Sequence, residues 1–403
     1  MKNLMLFLIV GFFIQMPAVS EAQILGKLKK KAEKQVEKEI DKALEGEAEE
    51  PQTEEKQTKE DQQKPEETKD EQVARPWSKY DFVPGETVLF EDNLEGEQNG
   101  EFPSPWDLID GYVENALFSG ENVIRFPIEN SGATIKPLMK KEGDYLPEKF
   151  TIEFDMYLSS RTSKYTVYLW DKGKSNRRPD GLHAIDVGYD QEASYEGGKM
   201  QRKLPEASQK PYPHWRHVAI SFNVRALKIY IDQDRLVMIP NVTGNPNALS
   251  IHASTYDFGQ TGDYPTMIKN IRIAEGAVKL YDRFISDGKI VTNGIKFDSG
   301  KATLKLESMG VINEIVKLMK EHPEINFSVE GHTDSDGDAQ FNIDLSEQRA
   351  NTVVNELIAR GIDSKRMVAK GMGEDVPVAD NTSPEGKANN RRVEFVKMDA
   401  PKI

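Results

Sequence analysis

The chain of 403 residues carries 53 Lys and Arg against 67 Asp and Glu, a formal charge of −14, which argues against a general nucleic-acid binder, since counterion release needs a basic face. With 37% hydrophobic and 30% charged residues it is too polar for a bundle of transmembrane helices, and its length allows about two or three domains. It contains no cysteine, which removes disulfides, thiolate metal sites, cysteine nucleophiles and a lipid anchor built on an N-terminal cysteine.

At the start, Lys2 and an apolar run over 4–14 precede Ser20-Glu21-Ala22, small residues at the two positions a signal peptidase reads. Residues 1–22 are therefore expected to be a signal peptide cleaved after Ala22, and the protein to be exported. An uncleaved anchor would need an apolar run of about 20 residues. Leu25, Leu28, Ala32, Val36, Ile40 and Leu44 then recur every three or four residues among Lys and Glu, the pattern of an amphipathic helix with a narrow apolar face. Such a helix can stay solvated, pair with another helix or lie on a membrane. Residues 46–74 hold almost nothing apolar, so no core repays the entropy of ordering them, and their charge predicts an extended spacer. The helix and spacer together make a charged segment over 23–76.

The composition changes at Trp77, and a β-sandwich domain is expected over 77–280. Runs at 88–90, 150–158, 166–170, 217–222, 227–231, 236–239 and 268–274 alternate between apolar and polar residues and are separated by Gly, Pro, Asn and Asp. So many strands without a comparable helical pattern indicate an all-β sandwich or barrel. The polar run 232–235 between two of them predicts a hairpin. Trp215-Arg-His217-Val-Ala-Ile, the hairpin that follows and Ile271-Arg-Ile-Ala-Glu-Gly276 resemble the concanavalin A-like lectin/glucanase superfamily, over about residues 80 to 278.

That resemblance implies a jelly roll and admits either sugar binding or glycoside hydrolysis. Glu153 and Asp155 on alternate residues share one strand face, as paired carboxylates of a hydrolase would, but Leu158 stands where the third acid belongs. The simpler expectation has Glu153 and Asp155 facing solvent, with Ile152, Phe154 and Met156 in the core. Trp170, Tyr189 and Tyr195, with Asp171, Asp186 and Asp190 nearby, could form a sugar or calcium site, although Trp in a sandwich commonly belongs to the core.

After Gly276 the period shifts to strands alternating with helices, which sets a further domain over 281–403. Strands are expected at 289–297, 325–330, 367–370 and 392–397, with helices at 307–320 and 345–360. In the second helix Ala350, Val353, Val354, Leu357 and Ile358 form one apolar face; Asp344 and Glu347 read as its capping box and Gly361 as its C-terminal cap. Six histidines show no metal-ligand spacing, and the acidic loop 334–338 fails as an EF-hand because Ala339 and Leu345 occupy positions that need Gly and Glu. No phosphate loop or nucleophile elbow is present, and no cofactor is expected.

Glu330-Gly-His-Thr-Asp334, Asn342, Leu345-Ser346, Arg349-Ala350 and Asn390-Arg391-Arg392-Val393-Glu394-Phe395 fall in the order of the OmpA C-terminal domain, which this region resembles over 288–398. Phe297-Asp298-Ser299-Gly300 fits the same pattern, whereas Ser335-Asp336-Gly337-Asp338 is more acidic than is usual there. The resemblance implies a βαβαββ fold, a non-catalytic role at the outer membrane and cell wall of a Gram-negative periplasm, and peptidoglycan as partner. Diaminopimelate in its stem peptide carries an ammonium and a carboxylate on one carbon, which calls for an anion and a planar cation side by side. On that resemblance Asp334 accepts the ammonium, Arg349 grips the carboxylate from the first turn of its helix, Asn342 adds hydrogen bonds, and Thr333, Leu345 and Arg391 line the pocket. A structural salt bridge between Asp334 and Arg349 is the alternative. Partners expected for the sandwich are a glycan or an outer-membrane protein.

Overall fold

In the computed structural model of the protein, the residues described are 77–127, 132–140, 143–171, 183–255, 265–276 and 280–398. The expected signal peptide, amphipathic helix and spacer, all within 1–76, lie outside them. The described residues belong to one compact unit. None of their helices is long and apolar enough to cross a membrane.

The strands of the first region are β1 (Thr87–Asp92), β2 (Trp106–Asp110), β3 (Glu114–Phe118), β4 (Glu121–Phe126), β5 (Ala133–Pro137), β6 (Lys149–Leu158), β7 (Ser163–Asp171) and β8 (His183–Val187). They continue with β9 (Glu192–Tyr195), β10 (Met200–Lys203), β11 (His214–Asn223), β12 (Ala226–Ile231), β13 (Asp234–Ile239), β14 (Pro246–Thr255) and β15 (Thr266–Glu275). Two antiparallel sheets result. One is eight-stranded, in the order β13-β12-β11-β6-β15-β4-β3 with β1 also on β15; the other is seven-stranded, in the order β10-β9-β8-β7-β14-β5-β2.

Alternation on the central strands explains the layering. Phe150, Ile152, Phe154 and Met156 of β6 and Val218, Ile220 and Phe222 of β11 point inward and meet Val167, Leu169, Leu249 and Ile251 of the other sheet in one core. Each large apolar side chain buried this way contributes roughly 1.5 to 3 kcal/mol. The expected hairpin is present with a tighter turn than the sequence suggests. Asp234 and Arg235 already pair with Ile231 and Tyr230, so only Asp232 and Gln233 turn the chain, Asp232 at φ 49°. The short strands β2 to β5 and β8 to β10 carry no such apolar alternation in the sequence because charged or polar residues interrupt them, and the ten-residue β14 is missed because Asn, Ser, His and Thr dilute its apolar positions.

The second region holds α1 (Leu280–Asp287), β16 (Lys289–Thr292), α2 (Met309–Glu321), β17 (Asn326–His332), α3 (Ala339–Ala359), β18 (Met367–Gly373), α4 (Pro384–Asn390) and β19 (Val393–Met398). Its sheet runs β16-β19-β17-β18, antiparallel except for β17 with β18, which α3 connects as a crossover. Ala350, Val353 and Leu357 of α3 and Ile312, Ile315 and Met319 of α2 pack with Phe327, Val329 and Phe395 of the sheet. The strand expected at 289–297 ends at Thr292, since Asn293 turns to donate to the Ala388 carbonyl and Gly294 passes hard against Pro84 and Val311.

The outer face of the eight-stranded sheet is covered. Tyr80 and Phe82 lie on Ala219 and Tyr230, so the segment before β1 is wedged between this sheet and α2. Asn313 of α2 donates to the carbonyls of Trp77 and Tyr80 at 3.0 and 2.9 Å. Asn389 of α4 clasps the backbone of Val88, accepting from its N–H at 3.0 Å and donating to its carbonyl at 3.2 Å. The two folded regions are thus joined through asparagine side chains that hydrogen-bond the main chain of the 77–88 segment.

Candidate functional site

The strand-to-helix connection after β17 brings the expected ligand residues together. Thr333 is fixed by donation from its N–H to the Gly373 carbonyl at 2.9 Å, and Asp334 follows it, buried. Gly337 at φ +99° turns the chain, and Asp338 caps α3 by accepting from Phe341 N–H at 3.0 Å. This corrects the capping box expected at Asp344 and Glu347. Both aspartates suit a cap, but Asp338 is the one with extended backbone, while Asp344 lies inside the helix and accepts from Gln340. The correction moves Arg349 well inside α3, beyond the reach of the unpaired amides at its start.

Thr333, Asp334, Asn342, Leu345, Arg349 and Arg391 all line one cavity of about 630 Å³. Asn342 is its most constrained member, donating to Asp336 O at 3.1 Å, to Asp334 O at 3.4 Å and to Glu374 Oε2 at 2.6 Å. Arg349 donates to the Lys301 carbonyl at 3.0 Å and lies over the Phe297 ring, 5.1 Å from its centre. Burial lowers the pKa of its guanidinium, and Asp334 opposes that effect.

Asp334 and Arg349 form no ion pair with each other. The cation on Asp334 is Arg391, with Nη1 to Oδ2 at 2.7 Å, and the other nitrogen of Arg391 meets Glu91 of β1. Burial works against the Arg391 charge, but Glu91 and Asp334 more than compensate and raise its pKa. Nothing in the sequence signals Glu91, which lies 300 residues from Arg391.

The sandwich carboxylates were misplaced by the sequence reading. Glu153 is only 2% exposed, because the second region docks over the face on which it stands. Its Oε2 lies 2.9 Å from Lys296 Nζ and 3.6 Å from His217 Nε2, and Oε1 lies 3.9 Å from Arg272. Burial alone would raise the Glu153 carboxyl, but Lys296, His217 and Arg272 outweigh it and hold it well below the usual carboxylate range. Asp155 bonds His217 Nδ1 at 2.9 Å and accepts from Asn270 at 2.6 Å. Despite burial, these carboxylates lift His217 to about 10. A carboxyl held ionised in this way is poorly suited to serve as the general acid of a glycosidase.

Two of the three aromatic side chains expected near a sugar are buried. Trp170 is buried and donates to Ser250 Oγ at 3.1 Å, and Tyr195 is buried against His183; only Tyr189 is exposed. Asp186 pairs with Lys164 and Asp190 with Arg161 and Lys203. One group of metal-ligand type, Glu330, His332 and Glu394, converges among the described residues. Lys370, Lys289 and Arg392 already pair with its carboxylates, so little net attraction for a divalent cation is left; burial and the same Arg392 charge also push His332 down to about 4.

The OmpA family model matches residues 296–391, a segment that contains Asp334, Asn342, Arg349 and Arg391. Residues 296–391 are an OmpA-family domain. Over 103 residues the chain is 42% identical to the probable lipoprotein YiaD of Escherichia coli, covering 26% of this chain and 47% of that protein. Outer membrane porin F of Pseudomonas aeruginosa is 46% identical over 101 residues, 25% of this chain and 29% of the porin. The peptidoglycan-binding protein ArfA of Mycobacterium tuberculosis is 38% identical over 107 residues, 26% of this chain and 33% of ArfA. The chain therefore spans less than half the length of each of these relatives, and the likeness falls on the OmpA-family domain.

Proposed function

We propose that this protein is a non-catalytic cell-envelope component that binds peptidoglycan through its OmpA-family domain. In this reading Asp334 receives the ammonium of diaminopimelate, Arg349 its carboxylate, and Asn342 orients the stem peptide, with Thr333, Leu345 and Arg391 around it. The observation that carries the reading is that Asp334 and Arg349 face one cavity as opposite charges unpaired with each other, the arrangement a zwitterionic ligand completes. The similarity to ArfA, a peptidoglycan-binding protein, supports the choice of ligand, and the similarity to an outer membrane porin and a probable lipoprotein supports an envelope location, which we place in the periplasm next to the outer membrane. The expected export signal agrees with that location.

For the sandwich we propose docking to a glycan or an outer-membrane protein, and burial of Trp170 and Tyr195 favours the protein partner. Retention on purified sacculi tests the main reading. Truncating one partner of a desolvated charge contact costs about 2 to 5 kcal/mol, so Asp334→Ala and Arg349→Ala should each lose at least roughly 30-fold in affinity while circular dichroism is unchanged. Sacculi that fail to retain the wild type, or that retain the double variant equally well, refute it.

A further inference from the structure

The cavity belongs to both folded regions. Its second wall is the sandwich, which contributes Glu91, Glu95 and Glu121 from outside the OmpA-family segment. Without that wall Arg391, at 2.7 Å from Asp334, would set its whole charge against that one carboxylate, with Arg349 a second cation lining the same cavity. Glu91 changes this balance. Its carboxylate holds the second nitrogen of Arg391, with side chains 21% and 35% exposed, so Arg391 is shared between two carboxylates. The charge that Asp334 presents to the cavity is then less cancelled. The raised pKa of Arg391, with Glu91 as the leading favourable cause, follows from the same geometry. The clasp of Asn389 on Val88 fixes β1 three residues from Glu91, so the contact is built into the docking of the two regions.

We propose that Glu91 of the sandwich is a specificity-determining residue of the peptidoglycan site, setting its preference for a ligand that carries a free ammonium group. The proposal rests on the peptidoglycan reading above. It gives the sandwich a part in recognition beyond that of a passenger, and it makes the ligand site a product of the fusion of the two regions. Glu91 acts through Arg391 and is therefore a positioning residue.

The test is calorimetric titration of the purified full-length protein with two probes: a stem tripeptide containing diaminopimelate, and the same peptide acetylated on its side-chain amine. The wild type should prefer the free amine. Glu91→Gln, which keeps the shape and removes the charge, should weaken binding of the free-amine peptide roughly three- to tenfold and leave the acetylated one within about twofold, so that the preference shrinks. Glu91→Asp, which restores the charge, should restore most of the preference, an outcome that a merely structural role for Glu91 would not produce. An unchanged preference in Glu91→Gln overturns the proposal while leaving the peptidoglycan reading intact. A wild type that binds neither peptide overturns that reading, and this inference with it.

Discussion

Replacing Glu153 by Gln tests the buried charge cluster that joins the two regions. Glu153 and Asp155 supply two negative charges, and Lys296, Arg272 and His217 supply three positive ones, His217 staying protonated up to about pH 10. At 2.9 Å the Lys296 contact alone represents about 6 kcal/mol of attraction at an effective dielectric of about 20, most of which offsets the cost of dehydrating both groups. Glu153→Gln leaves three cations facing one carboxylate, with Arg272 only 4% exposed at its side chain, and is expected to cost about 3 to 5 kcal/mol. Lys296→Met removes a side chain that is 24% exposed and leaves two charges of each sign, so about 1 to 2 kcal/mol is expected. The double variant should cost less than the sum of the two, with a coupling of at least about 1 kcal/mol. Urea unfolding at pH 7 measures all three. If Glu153→Gln lies within about 0.5 kcal/mol of wild type, or costs less than Lys296→Met, the charge-balance argument is wrong and Glu153 is hydrated.

Two further outcomes follow from the same interface. His217 has a folded pKa of about 10 against an ordinary value of 6.5, so its contribution is fully present below pH 6.5 and is lost as pH rises through 10; stability should fall by roughly a few kcal/mol between pH 7 and 10. His217→Gln should flatten that decline, and an equal slope in the variant would show that the group responsible lies elsewhere. At Gly310 in α2, an added Cβ would sit 1.7 Å from the Phe82 carbonyl oxygen, so Gly310→Ala should destabilise the docked protein by more than about 2 kcal/mol. In a free helix the same change would stabilise by about 1 kcal/mol, so a rise in melting temperature would mean that α2 does not carry the segment 77–86.

Local signals in the sequence determined much of this protein. Alternation placed Ile152, Phe154 and Met156 in a sheet core, the polar run at 232–235 marked a hairpin, and Gly361 marked the end of α3, where it takes φ 90°. The resemblance of 288–398 to the OmpA C-terminal domain pointed to Asp334, Asn342, Arg349 and Arg391, four residues that line one cavity. Each of these depends on neighbours a few positions away or on a motif whose order survives folding. The tertiary structure alone decided what lies over the other face of β6. Alternation separates Glu153 and Asp155 from the core but carries no information on whether water or another domain covers them. It also decided which of two suitable aspartates caps α3, because a cap requires an extended backbone that the preceding glycine turn sets. The partnership of Arg391 with Glu91 was beyond any local pattern, since the two meet only where the two regions pack together, and that packing depends on the shape and charge of whole surfaces.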